Sequence, residues 1–172
     1  MNLIGLILLL ISAVGFAIVI HLLRPQIFST GFEFSSNSLG QSLVFILELI
    51  AVTFVMILLH ESFHGLFFWI FSKTRPAFAF KIYYAYAAAP DWYFPRWQYF
   101  IIGLAPLVGL TLFAILGVIL LPTGFLLPIY LLLVFNTSGA VGDLWVMAKL
   151  SSCPAETLIQ DHGDSIAFFK PT

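Results

Sequence analysis

Charged side chains are scarce in this sequence. They make up 9% of the 172 residues, whereas 61% of the residues are hydrophobic. Soluble domains carry about 25% charged residues, so the composition excludes an ordinary soluble domain and predicts a surface that mostly faces lipid. The net charge of −1 lacks the basic excess that is typical of nucleic-acid-binding proteins, and we therefore expect no nucleic-acid partner.

Cysteine is nearly absent as well. The single Cys153 excludes an internal disulfide and any metal cluster built from several cysteines. The sequence also lacks internal repeats and low-complexity segments. We therefore interpret residues 1–172 as one multi-pass membrane domain.

Four long apolar runs dominate the sequence, and each is long enough to cross a bilayer, which needs about 20 apolar residues. The first run has no basic residue before it and no small-residue cleavage site after it. We therefore interpret it as a retained helix rather than a signal peptide. The predicted spans are residues 3–23, 40–71, 97–121 and 125–150, followed by a polar C-terminal tail over residues 151–172.

Between the second and third runs, the pattern changes from helical to alternating. Aromatic and β-branched residues recur at every second position, which is typical of a β-strand. Pro90-Asp91 follows as a turn signal. We predict a strand or hairpin at the membrane surface here, and a second short hairpin in the tail. The alternating residues are Phe78, Phe80, Ile82, Tyr84 and Tyr86.

The predicted fold class is therefore an all-α membrane protein with about four transmembrane helices and two small β elements. Two roles stay open for the alternating strand. It forms an aromatic belt at the lipid headgroups, or it is an edge strand that pairs with an extended substrate. The two roles are compatible.

Basic residues outside the runs are concentrated between the second and third predicted spans. This loop carries Lys73, Arg75, Lys81 and Arg96, whereas the first loop has only Arg24. The positive-inside tendency places the basic loop in the cytoplasm. With four spans, both termini are then cytoplasmic, and we expect a multi-pass protein of the cell membrane.

The second run contains the sequence His60-Glu61-Ser62-Phe63-His64. On a helix, His60 and His64 lie on one face with β-carbons about 5–6 Å apart, a spacing at which two neutral imidazoles bind one Zn²⁺. Glu61 lies beside such a metal, where its carboxylate takes a proton from zinc-bound water. Ionisable residues inside a span are costly and mark functional sites. The motif therefore predicts a zinc centre. The alternative is a pair of buried, hydrogen-bonded histidines with a glutamate partner, or a helix end at the membrane interface.

A catalytic zinc centre needs a third protein ligand, and Asp143 is the best candidate. His64 lies nine residues before Lys73, and Asp143 lies six residues before Lys149. At 1.5 Å per residue these separations are about 13 and 9 Å, so both groups fall at a similar depth. The alternative is an interfacial Asp143 that pairs with Lys149 or Trp145.

Three other polar residues have weaker assignments. Asn136 lies seven residues before Asp143, nearly on the same helix face. Its amide is a candidate for binding a substrate carbonyl or oxyanion, and equally for hydrogen bonding between helices. Glu48 lies too far along the helix from the histidines to reach the same metal, and His162 falls in a predicted turn, where solvation is the preferred interpretation.

Together these residues resemble a known family. The set is His60-Glu61-x-x-His64-Gly65, the Gly-Leu-Ala-Pro sequence at 103–106, Asn136 with Gly142-Asp143, and the Asp161-x-Gly-Asp164 tail. It is similar to a family of bacterial membrane zincins long catalogued as a domain of unknown function. That family resembles in layout the site-2-protease class of intramembrane metalloproteases. The resemblance covers about residue 40 to the end.

The resemblance implies one zinc ion bound by His60, His64 and Asp143, with Glu61 as the general base. The implied function is hydrolysis of peptide bonds in membrane-associated protein or peptide substrates. The aromatic strand then matches the β-element of site-2 proteases and holds the substrate. Two alternatives remain: a non-catalytic membrane protein with a structural or regulatory metal site, such as a partner subunit, and a metal-free helical scaffold.

Overall fold

The computed structural model describes residues 2–26, 39–81 and 84–171. Within these ranges the chain is mostly helical and also contains a small antiparallel sheet. The elements in chain order are α1 (Asn2–Leu23), α2 (Leu39–Ser72), β1 (Ala77–Phe80), β2 (Ala85–Pro95), α3 (Arg96–Leu120), a 3₁₀ turn (Thr123–Phe125), α4 (Leu126–Gly139), α5 (Val141–Ser151), β3 (Leu158–Asp161) and β4 (Ile166–Phe169).

Three of the helices, α1, α2 and α3, are long and apolar enough to cross a membrane. Helices α4 and α5 satisfy the same length and composition criteria when they are taken as one broken span. The prediction of about four long apolar helices is confirmed in this form.

The fourth predicted span differs from the expectation because it is interrupted at Ala140. Just before the break, the Thr137 hydroxyl donates to the Leu133 carbonyl at 3.0 Å. The Ser138 hydroxyl donates in the same way to Phe135 at 3.2 Å. Such back-bonding side chains bend helices, and the flexible Gly139 follows them. The polar second half of this run therefore ends one helix and starts another.

The two predicted hairpins pair with each other to form a single four-stranded sheet. The strand order is β1-β2-β3-β4, and every neighbouring pair is antiparallel. The tail strand β3 adds to β2 through pairs such as Ala89 with Asp161 and Pro95 with Leu158. The sequence predicted two separate hairpins, since nothing local in either one specifies a partner so distant along the chain.

The turn expected at Pro90-Asp91 is wrong, because both residues lie inside β2. The β2–β3 ladder is irregular between Ala89 and Phe94, and strand interiors admit proline at such irregularities. The Gln160 side chain donates to the Pro90 carbonyl at 2.6 Å and supplies a partner there. The hairpin turn instead falls after Phe80, within the predicted alternating run; Ile82 of that run lies outside the described residues.

The chain divides into two compact units, and the prediction of a single domain over 1–172 stays a prediction. The first unit comprises Met1–Met56 and Leu110–Gly139. In it, the Tyr130 hydroxyl donates to the Ala13 carbonyl at 3.1 Å, and Arg24 donates to the Ile119 carbonyl at 2.7 Å. These contacts join α1 to α4 and to the end of α3.

The second unit comprises Ile57–Gly109 and Ala140–Thr172. It contains the sheet, the C-terminal part of α2, the N-terminal part of α3 and α5. Small side chains allow β2 to pack closely, since Ala87, Ala88 and Ala89 are all buried. Around them lies an apolar core that includes Phe68, Phe94, Tyr99, Ile102, Met147, Leu150 and Ile159.

Gly163 in the β3–β4 turn provides a test of this packing. Its φ is +83°, and an added Cβ would lie 2.2 Å from the Tyr86 ring. Gly163→Ala is expected to lower the free energy of unfolding by about 1–3 kcal/mol, because it forces a non-glycine residue into a left-handed conformation. Thermal unfolding in detergent measures this loss. Gly124→Ala is the control, since a Cβ at Gly124 meets nothing within 4 Å; equal melting temperatures for the two variants would contradict the prediction.

Candidate metal centre

The two histidines of α2 face Asp143 in the first turn of α5. The His60 Nε2 atom lies 3.1 Å from one Asp143 carboxylate oxygen, and the His64 Nε2 atom lies 3.4 Å from the other. The imidazole rings are 5.1 Å apart at an angle of 73°. One ligand atom from each of the three residues lies within 4.8 Å of the others, so the two helices bring together one potential metal site.

These spacings fit a zinc ion. Ligand atoms bound at about 2.0–2.1 Å around a tetrahedral ion are about 3.3 Å from one another. The two nitrogen–oxygen distances at Asp143 are close to this value. Two imidazoles and one carboxylate are also a donor set that catalytic zinc sites use, with a fourth position left for water or substrate.

His64 is oriented by a backbone carbonyl of α3. Its Nδ1 atom lies 2.9 Å from the Ile102 carbonyl oxygen. A carbonyl only accepts hydrogen bonds, so Nδ1 carries the proton and donates it. In the neutral ring this leaves a lone pair on Nε2, the nitrogen that faces Asp143. A metal ion bound by His64 Nε2 requires this tautomer.

Glu61 is held next to the sheet. The Ala87 amide of β2 donates to the Glu61 carboxylate at 2.7 Å. Glu61, His64 and Asp143 line a cavity of about 200 Å³. Water occupies about 30 Å³ per molecule in the liquid, so this cavity has room for water beside the carboxylate.

The cavity also has an apolar wall and a third carboxylate, that of Asp161. Its apolar lining includes Phe68, Ile102 and Met147. The Tyr99 hydroxyl donates to Asp161, and the Gly163 amide donates to the other Asp161 oxygen at 2.7 Å. A buried tyrosine–aspartate pair therefore joins α3 to the end of β3 beside the metal centre.

The remaining predicted site residues have different positions. Asn136 is fully buried in α4 of the first unit, and its binding of an oxyanion stays a prediction. Phe78 and Phe80 are exposed on β1. The Tyr84 hydroxyl donates to Asp164 at 2.5 Å, which connects the predicted substrate strand to the tail. Their roles in substrate binding also stay predictions.

The alternative pairing of Asp143 with Lys149 differs from the structure. The Lys149 ammonium lies 4.9 Å from the centre of the Phe168 ring, while the Asp143 oxygens face the histidines. His162 is exposed in the turn between β3 and β4, as its predicted solvation requires.

Sequence reasoning assigned no role to the groups around the metal ligands. The Ala87 amide and the Ile102 carbonyl are backbone groups, so no residue type marks them. Tyr99 is one of several aromatic residues at the start of the third apolar run, so its type alone does not mark it. Asp161 had one signal, its place in the Asp161-x-Gly-Asp164 tail, but that motif did not indicate a partner.

Asp161 yields a prediction about pH. Burial raises the pKa of its carboxyl above the ordinary value, although the donors from Tyr99 and Gly163 act in the opposite direction. The folded state therefore binds this proton more readily than the unfolded state. The stability from this group is complete below the unfolded pKa of about 3.9 and is lost as the pH rises through the folded pKa.

Asp161→Asn removes this titration, so the stability of the variant relative to the unmodified protein is expected to increase as the pH rises above the unfolded pKa of about 3.9. Unfolding curves of both proteins with a chelator present measure the difference without a contribution from bound metal. A difference that does not change with pH would contradict the prediction.

The chain matches a known protein family. A family model described as "Putative zincin peptidase" matches residues 53–158. This range is more than half of the chain. It includes the whole of β1 and β2 together with His60, Glu61, His64 and Asp143. No curated protein and no solved structure matches the chain.

Proposed function

The chain belongs to the zincin peptidase family that its residues 53–158 match, and from this premise we propose that it is an intramembrane zinc metallopeptidase. Its substrates are membrane-associated proteins or peptides. The observation that carries the proposal is the convergence of His60, His64 and Asp143 on one point, with the Glu61 carboxylate lining the same cavity.

The three converging side chains would hold the metal. A zinc ion in this position supplies a Lewis acid that polarises the scissile carbonyl and acidifies water. The Glu61 carboxylate accepts the proton of the attacking water as its oxygen bonds to the carbonyl carbon. Glu61 then delivers that proton to the amine nitrogen as the carbon–nitrogen bond breaks.

The first part of β2, before its pairing with β3 begins at Ala89, offers a place for the substrate backbone. Hydrogen-bonded and non-hydrogen-bonded pairs alternate along an antiparallel ladder. The Lys81 amide donates to the Tyr84 carbonyl at 2.8 Å, which makes this a hydrogen-bonded pair. Ala85 and Ala87 therefore fall in non-hydrogen-bonded pairs with β1, so that their backbone N–H and C=O groups point away from β1. The Ala87 amide accordingly reaches Glu61.

This stretch of β2 lies beside the catalytic carboxylate, since the Ala87 amide donates to Glu61 at 2.7 Å. An extended peptide adds to such an edge through backbone hydrogen bonds. The site is therefore expected to take a locally unwound substrate segment whose scissile bond faces Glu61. This assignment places the substrate on β2, on the opposite side from the exposed edge of β1 that carries Phe78 and Phe80.

The proposed location is the cell membrane, which the chain would cross several times. Lys73, Arg75 and Lys81 lie between α2 and β2, and Arg96 begins α3. The positive-inside tendency places this segment in the cytoplasm. If α4 and α5 form one span, both termini are cytoplasmic as well. Reporter fusions at each terminus test this orientation.

The function is tested by reconstituting the zinc-loaded protein into liposomes together with a library of membrane-anchored peptides. New peptide termini, identified by mass spectrometry, are expected with the unmodified protein and are expected to disappear with a chelator. N-methylation of substrate amides at alternate positions should then block cleavage, while N-methylation at the intervening positions should not, because only one set faces the β2 edge. The same termini with and without zinc would contradict the proposal.

A further inference from the structure

Pro106 lies inside α3, where its effect on the backbone falls on one carbonyl. In an α-helix, the amide of each residue donates to the carbonyl four residues earlier. Proline has no amide hydrogen, and its ring also pushes against that same carbonyl. The carbonyl four residues before Pro106 belongs to Ile102, so α3 cannot supply Ile102 with its usual donor.

The Ile102 carbonyl is the group that orients His64. The His64 Nδ1 atom lies 2.9 Å from the Ile102 oxygen. Ile102 is 1% exposed, and Pro106 is also fully buried. A buried carbonyl needs a hydrogen-bond partner, and the imidazole of the metal site supplies one.

Close packing between α3 and α5 holds this carbonyl in place. A Cβ at Gly103 would lie 2.5 Å from the Met147 methyl carbon, so the glycine next to Ile102 lets the Met147 side chain lie directly on the α3 backbone. Met147 is on α5, one turn after Asp143. The carbonyl that orients His64 and the helix that carries Asp143 are therefore packed against each other.

We propose that Pro106 is a positioning residue for the metal centre. It leaves the Ile102 carbonyl available to His64, and that hydrogen bond fixes the ring as the Nδ1–H tautomer with Nε2 toward the metal. The inference rests on the metal site of the proposed function but not on peptidase activity. It also explains the Gly-Leu-Ala-Pro sequence of α3 as part of the same site as the histidine motif.

Pro106→Ala restores an amide that competes with His64 for the Ile102 carbonyl. The expected result is a zinc dissociation constant that is about 10–100-fold higher, the usual effect of losing a hydrogen bond behind a histidine ligand. The melting temperature of the metal-free variant is expected to stay the same or rise, because the helix gains a backbone bond. Competition with a chromophoric chelator measures the dissociation constant, and thermal unfolding in detergent measures the stability.

Pro128→Ala is the matched control. Pro128 lies in the first turn of α4, where backbone amides have no acceptor within the helix. This substitution therefore makes no carbonyl unavailable, and zinc affinity is expected to stay within about twofold of the unmodified protein.

The two readouts separate positioning from a general structural role. Weaker zinc binding by Pro106→Ala without loss of metal-free stability supports the proposal. Unchanged zinc affinity overturns it, and so does a parallel fall in affinity and metal-free stability. An unmodified protein that binds no zinc would instead remove the metal site and with it the proposed function.

A measurement on the unmodified protein does not depend on the folding of any variant. Nitrogen-15 NMR of histidine-labelled, zinc-loaded protein reports which ring nitrogen of each histidine carries the proton and which binds the metal. His64 is expected as the Nδ1–H tautomer, and His64→Gln identifies its signals. An Nε2–H tautomer for His64 would overturn the proposal.

Discussion

Replacing Glu61 with glutamine is expected to abolish peptide-bond hydrolysis while zinc stays bound. Glutamine has nearly the same shape and still accepts a hydrogen bond from the Ala87 amide, which lies 2.7 Å from the present carboxylate. It cannot accept the proton of the attacking water. Loss of a positioned general base costs about 10²–10⁴-fold in rate, and we expect a loss at the upper end, since Glu61 handles the proton in both halves of the reaction. Rates of cleavage in liposomes and zinc content measure the two effects.

Glu48→Gln is the matched control for this substitution. Glu48 lies on the same helix but in the first unit, and it is not among the metal ligands. The control variant is expected to keep both its zinc and its cleavage rate. Cleavage by Glu61→Gln at the unmodified rate would eliminate Glu61 as the base, and the structural or regulatory metal site would then become the better interpretation.

Zinc content is expected to be about one ion per chain and to be lost in both His64→Ala and Asp143→Ala. The reason is geometric, since the Asp143 carboxylate lies within 3.4 Å of both imidazoles, so each substitution leaves at most two of the three ligands. Metal analysis by mass spectrometry after detergent purification measures the content. His162→Ala is the control, because His162 is exposed in the β3–β4 turn, and it should keep the metal.

Stability gives a second measure of the same site. A ligand present at 100 times its dissociation constant stabilises the folded state by about 2.7 kcal/mol. A chelator should therefore lower the melting temperature of the unmodified protein but not that of His64→Ala. Zinc lost only in His64→Ala would keep the site and exclude Asp143 as its third ligand. No zinc in the unmodified protein would demote the enzyme hypothesis.

Much of the helical architecture could be predicted, because long apolar runs constrain it strongly. Apolar runs of about 20 residues have few other uses, so α1, α2 and α3 begin and end within a few residues of the predicted bounds. The histidine motif was equally visible, since its spacing is that of one helical turn. The residue separations also predicted that His64 and Asp143 lie at the same level, because helices rise by a constant amount per residue. In the structure the two side chains are 3.4 Å apart.

The sheet was predicted less well. Ala87, Ala88 and Ala89 are buried in β2, but alanine is not favoured in strands. The sequence therefore predicted that the strand ends just before Pro90. Their small size matters only once a helix packs against them. The pairing of β2 with β3 is also a tertiary event, since it joins segments on either side of three helices.

The sequence by itself determined the long apolar helical segments and the three residue types of the candidate metal site. These features follow from local rules: apolar length, helical rise and the chemistry of imidazole and carboxylate groups. The tertiary structure decided which backbone groups support them, namely the Ala87 amide behind Glu61 and the Ile102 carbonyl behind His64. Every residue carries a backbone carbonyl, and every residue except proline carries a backbone amide. The sequence therefore does not show which of these groups contacts Glu61 or His64; the packing of β2 and α3 against α2 decides it.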